Sequence, residues 1–357
     1  MNTGTYDISS LLRPLLGITQ SVEEFGMDEV ARVLQADLAA HNAAVEEAVR
    51  EMAEITDKRE GVTGSSADGE MTEVDEYGKG PTQKEEVGGR VAWPLRLFQY
   101  NVGWTAKYLQ VATPADLVKT QINAQTAHKR AVMRDIRRAI FGAANYNYRD
   151  HLIDNMVLNV KRFLNADGDP IPNGPNFEVF DPDTHTHYDA NNGWLASALT
   201  ATVNDVIEHG HGGDVRVAIN RADETAVRQL AGFEPFISAR IDRATIASAT
   251  GVPIGSLDQT RLDNREIGTF AGATVETKSW VPDDYAFVWD RSDPRKPLKF
   301  RQRDARALQG LRLAAENSKY PLLVRFQEAE FGTGVGERTN GAVLYVGGSS
   351  YVSPTIT

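Results

Sequence analysis

Apolar positions along this chain fall into helical and strand-like runs separated by two long polar stretches, and the runs predict the elements. Leu11, Leu12, Leu15, Leu16 and Ile18 are apolar pegs around Pro14 in an otherwise extended arm, Met1 to Ile18. From Glu23 to Ile55 the set Val30, Val33, Leu34, Leu38, Ala44, Val45, Ala48, Val49 and Met52 returns at helical spacing. A second helix is better marked. Thr113 is a good N-cap, Pro114 takes the first helical position, and Asp116 lies in the first turn, where a negative charge meets the helix dipole. Leu117, Ile122, Ala124, Ala127, Ala131, Val132, Ile136, Ala139, Ile140 and Ala143 then repeat until Gly142 to Asn145 breaks the pattern, over about 30 residues or roughly 45 Å.

Between these helices, Thr56 to Arg90 offers only Val62, Met71, Val74, Tyr77 and Val87 among glycines and charges, too little to bury itself. Such a segment takes its order from another surface. Val91 to Val111 alternates like a strand. The second polar stretch, Tyr146 to Trp194, is dense in Asn, Asp, Gly and Pro and reads as turns. Beyond it the pattern predicts a helix over Leu195 to His209, a strand over Val215 to Asn220, a helix over Ala222 to Leu230, and a glycine-bearing loop at GVPIGSLDQT (251–260). A strand-rich stretch, FAGATVETKSWVPDDYAFVWD, follows. Arg312 to Gly347 holds a long strand, Tyr320 to Phe331, a glycine-marked turn and a last strand, Ala342 to Val346.

Charge sharpens the picture because it is unevenly placed. The formal net charge is −11, and residues 1–90 carry all of it, with 19 acidic against 8 basic side chains, whereas residues 91–357 hold 30 of each. The second helix runs the other way, with Lys119, Lys129, Arg130, Arg134, Arg137 and Arg138 against Asp116 and Asp135. An acidic arm and loop beside a basic helix predict electrostatic docking between copies, with solvated faces as the plain alternative. Overall acidity argues against a nucleic-acid reader. The chain has no cysteine, which removes disulfides and thiolate metal sites and suits a reducing cytoplasm. No basic leader opens it and no run approaches the roughly 18 apolar residues of a membrane span, so the expectation is a soluble, unexported protein with no membrane partner.

Candidate chemistry is sparse. Two His-x-His pairs, His185/His187 and His209/His211, have Asp183, Asp189 and Asp214 nearby, but the second lies in a glycine-flanked loop and nothing in the pattern brings the pairs together. The expectation is therefore no metal and no cofactor. Asp167-Gly-Asp169 lacks the third oxygen ligand and closing Glu of a calcium loop and reads as a turn. GTGVGE, Gly332 to Glu337, has no following Lys-Ser/Thr and no helix after it, so it is no phosphate loop. With no nucleophile elbow, no His-Glu-x-x-His and no cysteine, nothing argues for an enzyme.

The order of parts resembles the major capsid protein of tailed bacteriophages, the Hong Kong 97-type fold. VRVAINRADETAVRQL looks like that family's axial-domain strand and helix. FAGATVETKSWVPDDYAFVWD looks like the strands that follow, and RFQEAEFGTGVGERTNGAVLYVGG like the long terminal hairpin, with Arg338 to Gly341 at its tip. The resemblance implies an α+β fold with an N-terminal arm and helix (1–55), an extended β-hairpin loop (56–111), a peripheral domain (112–193) whose spine helix is 113–144, an axial α/β domain (194–310), a return to the peripheral domain (311–347) and a tail (348–357). The insert from Tyr146 to Gly193 is longer than that pattern leads one to expect.

Its functional implication is a shell protein that self-assembles into the hexamers and pentamers of an icosahedral phage head around double-stranded DNA. Assembly would take place in the host cytoplasm, with a portal and scaffolding or decoration proteins as partners. The chain opens on the arm without a long helical pre-segment, so any scaffolding function is expected from a separate protein. Contacts between subunits are expected at Leu11, Leu12, Leu15 and Leu16 of the arm, at Glu73, Asp75, Glu76 and Lys79 of the loop, and at Arg130, Arg134 and Arg137 of the helix. Some family members join a loop lysine to a neighbour's asparagine, and Lys79, Lys84 and Asn340 are of those types. Two rival readings are an encapsulin-like nanocompartment, against which the arm weighs, and a hydrolase or metal-binding enzyme built on the histidines.

Overall fold

A helix of 28 residues, Pro114–Phe141, is the longest element of the computed structural model, which describes residues 12–18, 20–21, 24, 26–63, 71–80, 89–236 and 265–356. Its start is fixed as the sequence predicts: the Thr113 amide and hydroxyl both donate to the Asp116 carboxylate, at 3.0 and 3.1 Å. Its end comes at Gly142, whose backbone is extended. Leu117, Val118, Ala124, Ala131, Val132, Ile136, Ala139 and Ile140 form the buried stripe.

Two sheets pack around this helix. The first has five strands, in the order Ala53–Thr56, Leu298–Gln302, Leu322–Val335 and Arg312–Lys319, with Arg96–Thr105 also pairing along Leu322–Val335. Arg96–Thr105 shows the period of two in pure form. Arg96, Phe98, Tyr100, Val102 and Trp104 are half-buried, the residues between them are exposed, and Phe98 stacks on Phe331 at 4.5 Å. The second sheet has seven strands, in the order Tyr188–Ala190, Ala342–Tyr345, Tyr285–Asp290, Val215–Ile219, Ala273–Thr277, Arg265–Phe270 and Phe233–Pro235.

Tyr285–Asp290 is buried at every residue because both of its faces are covered. Tyr285, Phe287 and Trp289 join the long helix and the five-stranded sheet in one apolar cluster. Ala286 and Val288 join a second cluster under the helix Ala196–Ile207, with Leu199, Val203 and Val206. The glycines of GTGVGE are explained here: a Cβ on Gly332 would lie 2.1 Å from the Pro94 carbonyl oxygen and one on Gly334 would lie 2.7 Å from Trp93, so the strand is smooth where the Val91–Leu95 segment crosses it.

Three expectations are corrected. The first helix is Met27–Val49 and does not run on to Ile55; Ala53–Thr56 is instead a strand parallel to Leu298–Gln302, a state that β-branched Ile55 and Thr56 favour. The long strand Leu322–Val335 makes its hairpin with Arg312–Lys319, and Ala342–Tyr345 lies in the other sheet, between Tyr285–Asp290 and Tyr188–Ala190. Arg338 to Gly341 is therefore a buried crossover, not an exposed hairpin tip. The arm's pegs also have partners within the chain. Leu12 and Leu15, 1% and 2% exposed, pack with Val30, Leu34, Leu117 and Val118, and of the described pegs Leu16 alone is exposed. Leu11, the rest of the arm before it, Lys84 and the loop at 251–260 lie outside the described residues.

The two main helices also meet through histidines. His41 Nε2 and His128 Nδ1 lie 3.0 Å apart and buried, one donating to the other. Burial lowers both, His41 to about 3 with help from His128 and Lys129, and His128 to about 4 with help from Lys129.

Two outcomes are expected. Leu15→Ala should destabilise the isolated chain by about 2 to 5 kcal/mol, the range for deleting a buried leucine side chain; a chemical-denaturation midpoint equal to wild type would show that the arm packs elsewhere. For the histidine pair, the folded chain refuses protons that the unfolded chain accepts below 6.5, so stability falls as pH drops from 6.5 towards about 4. The denaturation midpoint followed through that window should fall less steeply in a His41→Gln/His128→Gln variant.

Candidate intersubunit surface

The basic residues of the long helix divide by face. Arg130 is exposed, Arg134 and Arg137 are half-buried, and among the described residues none of the three has a carboxylate partner. Arg137 Nε is buried without a hydrogen-bond partner, and burial lowers this guanidinium's pKa. Asp135 points the opposite way. It accepts from Arg96 Nη1 at 2.7 Å and from the Thr333 amide at 2.6 Å, which ties the helix to two strands of the five-stranded sheet.

The loop is a short ribbon at its base, Glu60–Val62 antiparallel to Arg90–Ala92. Residues 71–80 are all exposed, Glu73, Asp75, Glu76 and Lys79 among them. Their order is local: Asp75 accepts from the Tyr77 amide through its side chain at 2.9 Å and from Gly78 through its carbonyl at 3.0 Å. Met71 is 99% and Tyr77 80% exposed, apolar surface that the chain itself does not cover. Within one chain, the described loop acids and the helix arginines make no ion pair. Asn340 is fully buried, accepting from the Asp290 amide at 2.8 Å and donating to the Arg295 carbonyl at 2.8 Å, so it cannot meet a neighbour's lysine in this fold.

A second exposed patch carries no pattern that a linear reading finds. Tyr108 and Val111 follow the strand Arg96–Thr105, whose end pairs with Leu322, and the Ala106 amide bonds the Pro321 carbonyl at 2.8 Å. Together with Tyr320, 80% exposed, they gather large apolar side chains at one end of the five-stranded sheet. Pairing between segments more than two hundred residues apart makes this patch.

Asp167 and Asp169 take cations from the chain itself. Lys161 Nζ lies 2.8 and 3.0 Å from them, and Arg338 3.0 and 3.1 Å. Burial alone would raise the Asp167 pKa, but Lys161 and Arg338 outweigh it and hold it at about 2. Arg338 also donates to the Arg162 carbonyl at 2.7 Å, pinning the crossover to the insert.

The separation expected for the histidine pairs is overturned. His185 Nε2 lies 3.2 Å from His187 Nε2 and 3.1 Å from His209 Nε2, with Glu208 Oε1 at 3.3 Å. His211 is turned away, bonded to Asp293 at 2.7 Å and Thr339 at 2.8 Å. A strand edge and a helix end make this meeting, so sequence spacing could not foretell it. Beside it, burial and the neighbouring Asp189 carboxylate push Asp205 up to about 9.

No protein-family model matches the sequence, and no curated protein does. Solved structures do. A chain of Mycobacterium phage Patience matches with a TM-score of 0.66 at 21% identity, covering 94% of this chain and 93% of that one. The capsid of a native GTA particle matches at 0.47 and 13% identity, over 84% and 90%. The holo-SrpI encapsulin complex from Synechococcus elongatus matches at 0.44 and 12%, over 86% and 89%, and these two are too remote to weigh. In fold, the chain is a mixed α+β protein that shares its architecture with the Mycobacterium phage Patience chain. No helix among the described residues is long and apolar enough to cross a membrane.

Proposed function

We propose that this chain is a major capsid protein, many copies of which form hexamers and pentamers of an icosahedral shell around packaged double-stranded DNA. The observation that carries the reading is the likeness in fold to the Mycobacterium phage Patience chain, which runs through 94% of this chain. In this reading Pro114–Phe141 is the spine helix, 56–111 the extended loop, and the seven-stranded sheet with the helix Ala196–Ile207 the axial domain. Each copy's acidic loop lies on the arginines of a neighbour's helix. Met71 and Tyr77 in the loop, and Tyr320 and Val111 at the sheet end, are surfaces that neighbouring copies would cover. A permanent shell buries large areas per subunit. The virion is then where the chain acts, with assembly in the host cytoplasm and a portal, and scaffolding or decoration proteins where present, as further partners.

The arm's role narrows. Leu12 and Leu15 serve their own subunit, which leaves Leu16 and the residues before Leu12 to reach a neighbour.

Light scattering and electron microscopy of the purified chain test the reading; a monomer at all salt and protein concentrations, with no shells, would overturn it. The charge contact has its own test. Reversing Glu73, Asp75 and Glu76 to lysine should weaken assembly while leaving the melting temperature of the unassembled chain unchanged. Exposed pairs contribute about 0.2 to 1 kcal/mol each, so three are needed, and each copy repeats the effect. Arg130→Glu with Arg134→Glu should partly restore assembly, and a triple variant that assembles like wild type at low and high salt would show the loop's charges to be merely solvated.

A further inference from the structure

We propose that His185, His187, His209 and Glu208 form a divalent transition-metal site, zinc foremost, that staples the insert to the end of the helix Ala196–Ile207. A tetrahedral shell with bonds of roughly 2.0 to 2.1 Å sets its ligand atoms about 3.3 Å apart. His185 Nε2 meets that edge length with all three other ligand atoms, at 3.2, 3.1 and 3.3 Å. Of the other three edges, His209–Glu208 is 3.9 Å, and all four atoms lie within 4.8 Å of one another. Glu208, whose side chain is 35% exposed, has room to close on the three imidazoles.

Three imidazole nitrogens and a carboxylate oxygen within 4.8 Å of one another are hard to satisfy without an ion. His187 Nδ1 faces the Gly341 carbonyl at 2.9 Å and so carries the proton, leaving a lone pair on Nε2. That lone pair points at His185, which points equally at His209. One proton on His185 Nε2 cannot serve both neighbours well, and Glu208 Oε1 beside them is buried with no hydrogen-bond partner. A cation accepts every one of these lone pairs.

The backbone holds the donors in place. His185 gives its carbonyl to the Ala166 amide at 3.0 Å, and His187 gives its amide to the Leu164 carbonyl at 2.8 Å and its carbonyl to the Val343 amide at 2.8 Å. Glu208 caps the helix and His209 follows it, so the negative end of the helix dipole faces the site. Phe180 closes it, its ring 4.8 Å from His185 and 4.3 Å from His209.

The donor set identifies the metal class. Imidazoles with one carboxylate suit zinc, cobalt, nickel or copper rather than calcium or magnesium, and four protein ligands leave no open position, so the site is structural rather than catalytic. This does not depend on whether the chain assembles into shells.

The test uses the untagged full-length chain. Cobalt(II) titration should saturate at one ion per chain with the intense visible absorption of a tetrahedral site, zinc should displace it, and EDTA treatment should lower the melting temperature of the purified chain. His185→Ala and Glu208→Gln, both at partly exposed positions, should keep the wild-type far-ultraviolet circular dichroism and bind cobalt more than roughly tenfold more weakly. His211→Ala should bind like wild type. No tetrahedral band, a band that persists unchanged in both ligand variants, or a melting temperature indifferent to zinc and EDTA would each overturn the site.

Discussion

The strand Tyr285–Asp290 must be covered on both faces, and the rest of the molecule is arranged around that requirement. Five consecutive buried residues, Tyr285 to Trp289, that alternate between two apolar clusters cannot sit on the surface of a single sheet. One face takes Phe287 and Trp289, stacked 4.9 Å apart, against residues from the long helix and the five-stranded sheet. The other takes Ala286 and Val288 beneath the helix Ala196–Ile207. Phe287 and Trp289 are fully buried, and large aromatic side chains contribute several kcal/mol each when buried, so the layer of the long helix and five-stranded sheet cannot separate from this strand without a cost comparable to the whole stability of a domain.

What could be read from the sequence was whatever local periodicity controls. The long helix declared itself through Thr113, Pro114 and Asp116 because capping and helical spacing are local facts. Arg96–Thr105 declared itself because one of its faces meets solvent. The errors have one cause, which is that partners distant in sequence decide between equal local alternatives. Residues 53–56 could continue a helix or join a strand, and pairing with Leu298–Gln302 decides. Ala342–Tyr345 could fold back on the strand before it, but the place between Tyr285–Asp290 and Tyr188–Ala190 buries Val343 and Leu344 on opposite faces. Leu12 and Leu15 seemed unpartnered because Leu117 and Val118 lie a hundred residues away.

Charge follows a similar division. The described acids of the first quarter that the sequence singled out, Glu73, Asp75 and Glu76, stay on the surface with no cation partner among the described residues. Several buried carboxylates and guanidiniums, by contrast, are paired within the chain: Arg301 with Asp150 at 2.8 Å, Arg96 with Asp135 at 2.7 Å, and Arg338 with two aspartates. Buried pairs add little net stability, but removing one partner is costly. Their positions are informative. Each joins elements from different parts of the chain, so they select one packing of the sheets over alternatives that would bury the same apolar area.

The insert from Tyr146 to Gly193 shows how a segment poor in apolar residues is held without a core of its own. Its hairpin, Tyr146–Arg149 with Val157–Val160, buries Leu158 and Val160, and Phe163 stacks on Phe287 at 5.8 Å. Past Phe163 the attachment becomes polar: Lys161 and Arg338 neutralise Asp167 and Asp169, and single backbone bonds hold Ala166 to His185 and Gly168 to Pro182. Each of these is individually weak. A glycine-, proline- and asparagine-rich chain pays a large entropy for being fixed, and hydrogen bonds of about 1 kcal/mol each offset that only in number. The point where the segment turns back to the sheet, His185 to His187, is where the proposed metal ion would fix most at once, because these histidines join the insert, the helix end and, through Gly341, the crossover between the sheets.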